Sequence, residues 1–457
     1  MRYIIPIVIA LIILLLIFYI SIIQINSYPQ LIYNVHKISN STTNSINNTF
    51  RNFEFESNPQ HIYYLNANLS NFTYSFNPVS LDNDSIVEMV GILNPINIYQ
   101  GNMLVDLSTM PNNTYDDDKN AYFGELVYLN ISTGNIIWFH KFQNDLMDEP
   151  IVYNGLVFYG TGSNMVLSQY KMNQVGAINL STGKVVWNYN FTGEKMPTPV
   201  LFDNEIIYTP GFLGTGYLDA YDYNNGTIAW DLNLSSESAM SSPAVLGNNM
   251  FFGSRAYNET ENLFYSINMD THKINWFDNF SANMGTQDSS PSIYNNTIIT
   301  GAVTENGLMN LNYTLYGINA SNGVIRWSLN EGSGPFVHNL KLPPTTAYNN
   351  VVYSDTPSLG YLYAINISSG KEIWKYNTGP TDANVNIING YIFIVNREGE
   401  LFIFNKNGTL YKEVNIGMPY GPDDVIKAGN KVILYSSTGK IVIEPISNFL
   451  NLNDTKK

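Results

Sequence analysis

Five carboxylates occupy one recurring place in this chain. Asp148 and Glu149 in MDEPIV, Asp288 in QDSSPS, Asp382 in PTDANV and Asp423 in GPDDVI, where Asp424 follows, all come just before a short apolar run. If those runs are strands converging on one axis, the acids meet at one mouth. Carboxylates with neighbouring carbonyls and amides are the hard oxygen set that Ca²⁺ takes, roughly six to eight ligands at a time. The competing reading is a ring of solvated loop acids, because no spacing among them specifies a metal loop. The same applies to the acidic run YDDDKN at 115–120.

Other chemistry is thinly represented. His36, His61, His140, His272 and His338 show no metal-ligand spacing. No G-x-S-x-G context accompanies a serine, and the glycine-rich EGSGPFVHN at 331–339 lacks the lysine of a phosphate loop. Cysteine is absent, which excludes disulfides, thiolate metal sites and a cysteine nucleophile. With 22 Lys+Arg against 37 Asp+Glu and a net charge of -15, a nucleic acid is not the expected partner, since counterion release needs basic side chains.

The elements that must position these residues repeat. All six tryptophans keep one register: Gly134 precedes Trp138 by four residues, and Gly183, Gly226, Gly323 and Gly370 stand in the same relation to Trp187, Trp230, Trp327 and Trp374. Only Trp276 differs, with His272 in place of glycine. Eight residues before each Trp is an Asn or Asp, namely Asn130, Asn179, Asp222, Asn268, Asn319 and Asn366. Ten before, the residue is small in Ala177, Ala220, Ser266, Gly317 and Ala364, with Tyr128 as the exception. Such a fixed period is the mark of a repeat architecture.

Residues 199–233 show the unit: PVLFDN, EIIYTPG, YLDAYDY, a turn at NNG, and TIAWDLN, four short antiparallel strands. Pro150, Pro199, Pro243, Pro291 and Pro344 open the first strand, where a missing N–H is tolerated. A blade of this kind is apolar on both faces and must be covered by neighbours, so the repeats close into a propeller. Six blades follow from the tryptophans, at 86–142, 148–192, 197–236, 241–281, 289–331 and 342–378. A seventh, 381–416, has a shortened turn and Tyr411 near the Trp position. The eighth, 420–446, offers three strands, and the region near 61–76 is expected to supply the fourth and clasp the ring. Seven blades are the alternative.

Ahead of the propeller, 4–23 (IIPIVIALIILLLIFYISII) is uncharged and long enough to span a bilayer. Arg2 precedes it and no Lys or Arg follows before Lys37, so the N-terminus is expected in the cytoplasm and the propeller outside. A cleaved signal peptide is the alternative. The expected organisation is an anchor over 1–25, an Asn/Ser/Thr-rich spacer over 26–58, a propeller over 59–446 and a tail over 447–457. N-x-S/T sequons are abundant. Those at Asn130, Asn179, Asn319 and Asn366 are part of the repeated turn, whereas Asn40, Asn47, Asn68, Asn71, Asn83, Asn112, Asn190, Asn233, Asn258, Asn279, Asn295 and Asn312 are candidate glycosylation sites on an exported chain.

AINLSTGKVVW (177–187), AYDYNNGTIAW (220–230) and AINISSGKEIW (364–374) resemble the tryptophan-docking motif of the eight-bladed quinoprotein propellers, and the resemblance covers about 80–446. It implies an all-β fold of eight four-stranded blades in which Trp138, Trp187, Trp230, Trp276, Trp327 and Trp374 stack between blades. It also implies one of two functions. Some members bind pyrroloquinoline quinone (PQQ) with Ca²⁺ and oxidise alcohols or aldoses. Others are non-catalytic and bind proteins, like the propeller of the outer-membrane assembly machinery. The quinone enzymes floor their cofactor with a tryptophan, and all six here are assigned to the repeat. The expectation is therefore a binding scaffold at the cell envelope, plausible for an archaeal surface, whose partner is an envelope protein or an extracellular ligand and for which no cofactor is called. A PQQ- and calcium-dependent oxidoreductase is the alternative, and a hydrolase or lyase a third class.

Overall fold

The repeated turn builds itself from local hydrogen bonds. The Asn179 Oδ1 accepts the Thr182 N–H at 3.0 Å and the Thr182 hydroxyl at 3.0 Å, while the Gly183 N–H donates to the Asn179 carbonyl at 2.8 Å. Gly183 sits at φ +69, left-handed backbone that glycine adopts without cost. Asp222, Asn268 and Asn366 likewise accept the N–H three residues on, and the Asn319 side chain accepts the Ser321 N–H two residues on. Each turn joins a third strand to a fourth, and a bulge follows it. The register slips between Ala177 and Ile178, and likewise at Ala220/Tyr221, Ser266/Ile267, Gly317/Ile318 and Ala364/Ile365. This slip sets each Trp opposite the small residue ten before it, as in Ala177 with Trp187 and Gly317 with Trp327. A Cβ on Gly317 would lie 2.1 Å from the Trp327 ring, so the small residue there is a steric requirement.

The computed structural model describes residues 64–65, 69, 72–75, 89–91, 97–110, 124–142, 144, 149–162, 173–191, 193–195, 197–211, 216–234, 236–237, 241–256, 262–280, 289–305, 310–335, 343–381, 383–416, 424–436 and 439–451. These form eight sheets, one per blade, in an all-β propeller. Blade two is representative: Ile151–Tyr153, Leu156–Gly160, Asn173–Asn179 and Val185–Phe191 pair antiparallel in sequence order. Eight blades, not seven, close the ring. Blade eight takes Asp424–Ala428, Lys431–Tyr435 and Lys440–Pro445 from the C-terminal end, and Phe72–Ser75 pairs antiparallel with the last of these as the fourth strand. The clasp goes further than the sequence suggests, because Tyr64–Leu65 adds a parallel strand against 424–428.

Burial follows strand order. The second strand of blade two is buried throughout, and the fourth strands alternate, as in the pattern of Lys371–Asn377. The core lies in the seams between blades. Trp138 and Phe142 of blade one pack with Val152, Val157 and Tyr159 of blade two, and Phe158 and Trp187 pack with Ile206 and Tyr208 of blade three. At the seam of blades seven and eight the packing runs past residue 446, with Phe449 and Leu450 buried against Val395 and Val432.

Each indole reaches the turn of the following blade. Trp138 Nε1 donates to the Leu180 carbonyl at 2.7 Å, Trp187 to Tyr223 at 3.0 Å, Trp276 to Ala320 at 3.1 Å, Trp327 to Ile367 at 2.6 Å and Trp374 to Lys406 at 3.2 Å. The rings lie against the turn glycines, so a Cβ on Gly183, Gly226, Gly370 or Gly408 would meet an indole carbon at 2.5 to 2.7 Å. Trp230 is the exception, for the reason visible in the sequence. Its neighbour turn carries His272, whose ring stacks on the indole at 4.4 Å and 16°, and Trp230 Nε1 donates instead to Glu205 Oε2 at 2.6 Å. In blade seven the bulged register places Lys412, not Tyr411, where the other blades carry Trp. Lys412 Nζ donates to the Asn448 carbonyl at 2.7 Å, and the Tyr411 hydroxyl accepts the Asn451 N–H at 3.1 Å.

The anchor over 4–23, the spacer over 26–58, the acidic run at 115–120 and the sequons at Asn40, Asn47, Asn68, Asn71, Asn83, Asn112 and Asn258 lie outside the described residues. Among the described residues no helix is long and apolar enough to cross a membrane. Asn190, Asn233, Asn279 and Asn295 are exposed, and Asn312 is half-buried.

Candidate functional site

The end of the propeller where the first strands begin gathers most of its buried polar chemistry. Of the five predicted carboxylates, Asp148, Asp288, Asp382 and Asp423 lie outside the described residues. Glu149 is buried, and its carboxylate accepts the Asn97 Nδ2 at 3.0 Å, which ties blade two to blade one. Among the described residues no group of three His, Asp or Glu side chains stands close enough to hold a metal ion.

A belt of hydroxyls lies just before the first strands, and reading acids alone missed it. The Ser242 Oγ accepts the Thr198 N–H at 3.0 Å, and the Ser290 Oγ accepts the Ser242 N–H at 2.9 Å. Ser241 and Ser289 accept the Gly253 and Gly301 N–H groups of their own second strands, at 3.0 and 2.9 Å. Ser292 meets Thr345 hydroxyl to hydroxyl at 2.6 Å, and Thr346 donates to the Val385 carbonyl at 2.5 Å. The repeated SSP at 241–243 and 289–291, with the TT at 345–346, was the available signal. Apart from the Ser292–Thr345 pair, these bonds satisfy backbone groups that short first strands leave open.

Two buried ionisable groups stand out in this region. Lys195, on the connection between blades two and three, pairs with Asp219 Oδ2 at 2.7 Å and donates to the Tyr217 carbonyl. Burial draws the lysine below its ordinary pKa, and the Asp219 carboxylate opposes that shift. Glu331 ends the outer part of blade five and faces blade six. Four residues after the Trp the chain carries Phe142, Phe191, Leu234 and Phe280 in blades one to four, and Glu331 in blade five. In sister seams this position packs on aromatics: Phe142 on Tyr159 at 4.6 Å and Phe280 on Tyr316 at 4.8 Å. At Glu331 the opposing second-strand residue is Ser354, where blades two and three have Tyr159 and Tyr208. Burial pushes the Glu331 carboxyl up to about 8, slightly eased by the Ser354 hydroxyl. Neither carboxylate oxygen is in a well-formed hydrogen bond. The backbone there is conventional, since the Tyr363 hydroxyl donates to the Glu331 carbonyl at 2.5 Å as Tyr265 does to Leu234 at 2.9 Å.

A quinone with Ca²⁺ finds no evident support among the described residues. All six indoles lie on fourth strands beside the turns, with their N–H groups in the contacts given above. The described acids are dispersed over several seams.

A family profile described as "Outer membrane protein assembly factor BamB" matches residues 114–209 and 214–441. A tetrathionate hydrolase of Acidithiobacillus ferrooxidans is 24% identical over 359 residues, covering 72% of this chain and 70% of that protein. Among solved structures, BamB from Moraxella catarrhalis superposes with a TM-score of 0.54 at 14% identity, over 81% of this chain and 97% of that one. The quinohemoprotein alcohol dehydrogenase from Comamonas testosteroni gives a TM-score of 0.61 at 12% identity, over 85% of this chain and 79% of that one. At these identities the two structures establish the fold.

Proposed function

We propose, from the premise that this chain belongs to the family of the outer membrane protein assembly factor BamB, that it is an envelope scaffold which binds extended protein segments on its outer rim, held at the membrane by residues 4–23. The observation that carries this reading is the chemistry of the fourth strands. Among the described residues each pairs with the third strand of its own blade and lies at the outer edge of its sheet. Those edges carry exposed apolar side chains in blade after blade, with Phe139 48%, Ile228 63% and Phe277 58% exposed. Proteins ordinarily blunt such edges with charge or cover them, and an open edge flanked by apolar side chains is the surface onto which a partner adds a strand.

The test replaces Phe139, Ile228 and Phe277 together with lysine and follows a partner cross-linked to the wild-type protein in its own membranes. Loss of that partner with an unchanged unfolding midpoint supports the reading, and undiminished cross-linking overturns it. A second reading, hydrolysis of a sulfur oxyanion, is favoured by the similarity to the tetrathionate hydrolase over most of both chains. Consumption of tetrathionate by the purified protein at acid pH would establish that reading over the scaffold. Titration with PQQ and Ca²⁺, read by Trp fluorescence and dye-linked alcohol oxidation, tests the oxidoreductase alternative.

A further inference from the structure

The seam between blades five and six differs in kind from its sisters. Glu331 is a carboxylic acid where blades one to four carry Phe or Leu and blade six carries Thr378, and opposite it stands Ser354, where blades two to five have Tyr159, Tyr208, Phe252 and Thr300. Glu331 is 2% exposed, and both of its carboxylate oxygens and the Ser354 Oγ lack well-formed hydrogen bonds. Among the described residues no cation forms an ion pair with it. The second strand of blade six brings Tyr353, Ser354 and Asp355, and the third brings Tyr361 and Tyr363. The fourth brings Glu372 and Lys375, and the Lys375 ammonium lies over the Tyr361 and Tyr363 rings, 5.4 Å from each centroid. Burial raises the Tyr363 pKa, and Glu331 and Glu372 add to the rise as like charges. On its own strand the cation is Arg326, whose guanidinium donates to Thr297 Oγ1.

We propose that this seam is a proton-gated latch, closed while the Glu331 carboxyl is neutral and loosened when it ionises. An ionised carboxylate there would be buried without a counter-charge, and the protein relieves that cost by letting blade six part from blade five and admit water. The sign follows from the carboxyl being pushed up to about 8 in the closed seam from an ordinary 4.5. The closed form holds the proton over this window and the opened form does not. Seam stability is therefore complete below about pH 4.5, declines as pH rises, and is lost once pH passes about 8. Between pH 4.5 and 7 the opening constant rises by about 150-fold, approaching a factor of ten per pH unit in the middle of that window. The latch is independent of whether the rim binds a partner.

The experiment measures hydrogen exchange of the 351–356 and 361–366 backbone amides from pH 4.5 to 8.5 in the wild type, Glu331→Gln and Glu331→Leu, with each pH referenced to the same amides in the variants. Leucine is the residue blade three uses at this position, which gives a second variant should glutamine fold poorly. The expected result is excess opening of these strands in the wild type as pH rises, absent in both variants, while blade three amides change equally in all three proteins. Equal pH dependence in wild type and variants overturns the proposal. So does a wild-type excess spread over every blade.

Discussion

Replacing Gly226 by alanine isolates what the Trp contact contributes to the ring. Gly226 has φ +74, so any side chain carries the left-handed backbone penalty of about 1 to 2 kcal/mol. The added methyl would also lie 2.5 Å from Trp187 Cδ2. The indole must then move off the turn, weakening its bond to the Tyr223 carbonyl, about 1 kcal/mol. It also loses part of its stacking on Tyr221 at 5.7 Å, about 0.5 to 1.5 kcal/mol. Gly155 is the matched control, with φ +76 and nothing within 4 Å of an added Cβ. Gly155→Ala should cost the backbone penalty alone, and Gly226→Ala about 2 kcal/mol more. Urea unfolding monitored by Trp fluorescence reads both from midpoints at equal slope. If the two variants lose the same stability, the glycine is there for its backbone alone and the seam does not depend on ring contact.

Three further outcomes follow from the same geometry. Asp219→Asn leaves the Lys195 ammonium buried beside a neutral partner and should destabilise by about 3 to 5 kcal/mol in urea at pH 5. The deficit should shrink toward pH 9, because the buried lysine already has a lowered pKa and can neutralise. Replacing the pair together by Lys195→Met and Asp219→Leu should cost less than Asp219→Asn alone. The Trp230 seam should show non-additivity: Glu205→Ala is expected to cost more in the wild type than beside His272→Gly, with a coupling above about 0.5 kcal/mol in a double-mutant cycle. Strict additivity there would mean that His272 does not direct the indole toward Glu205.

The blade plan was legible because its signals are local. An Asn side chain, a glycine and a bulge fix each turn within a few residues, and the Trp register reports all six copies. Even the clasp near 61–76 could be inferred, since blade eight lacked a strand. The register of blade seven was misplaced by one residue because no tryptophan marked it, and Lys412 became evident only through cross-strand pairing. The interior chemistry was less accessible, because contacts between blades have no local pattern. Lys195 and Asp219 belong to different segments, and nothing within either announces the pair. Glu331 did leave a trace: aligning blades on their tryptophans makes it the one ionisable residue in a column that otherwise reads Phe, Phe, Leu, Phe and Thr.

The composition of blade eight also constrains how the molecule comes to exist. Tyr64 pairs with Lys427 and Phe72 with Ile443, so its sheet joins the earliest and latest strands of the ring. A chain emerging N-terminus first has to hold residues 64–75 unpaired until nearly all the rest has appeared. Blades one to seven can stack as they arrive, each sealing the seam of the one before. The closing step then resembles joining two distant ends of a polymer, with its entropic cost already reduced by the arc built between them. Until that step the apolar faces at the two open ends of the arc remain available to a second arc. Assembly of this propeller should therefore be most vulnerable to intermolecular exchange at its final joint, and dilution during refolding should favour the closed monomer.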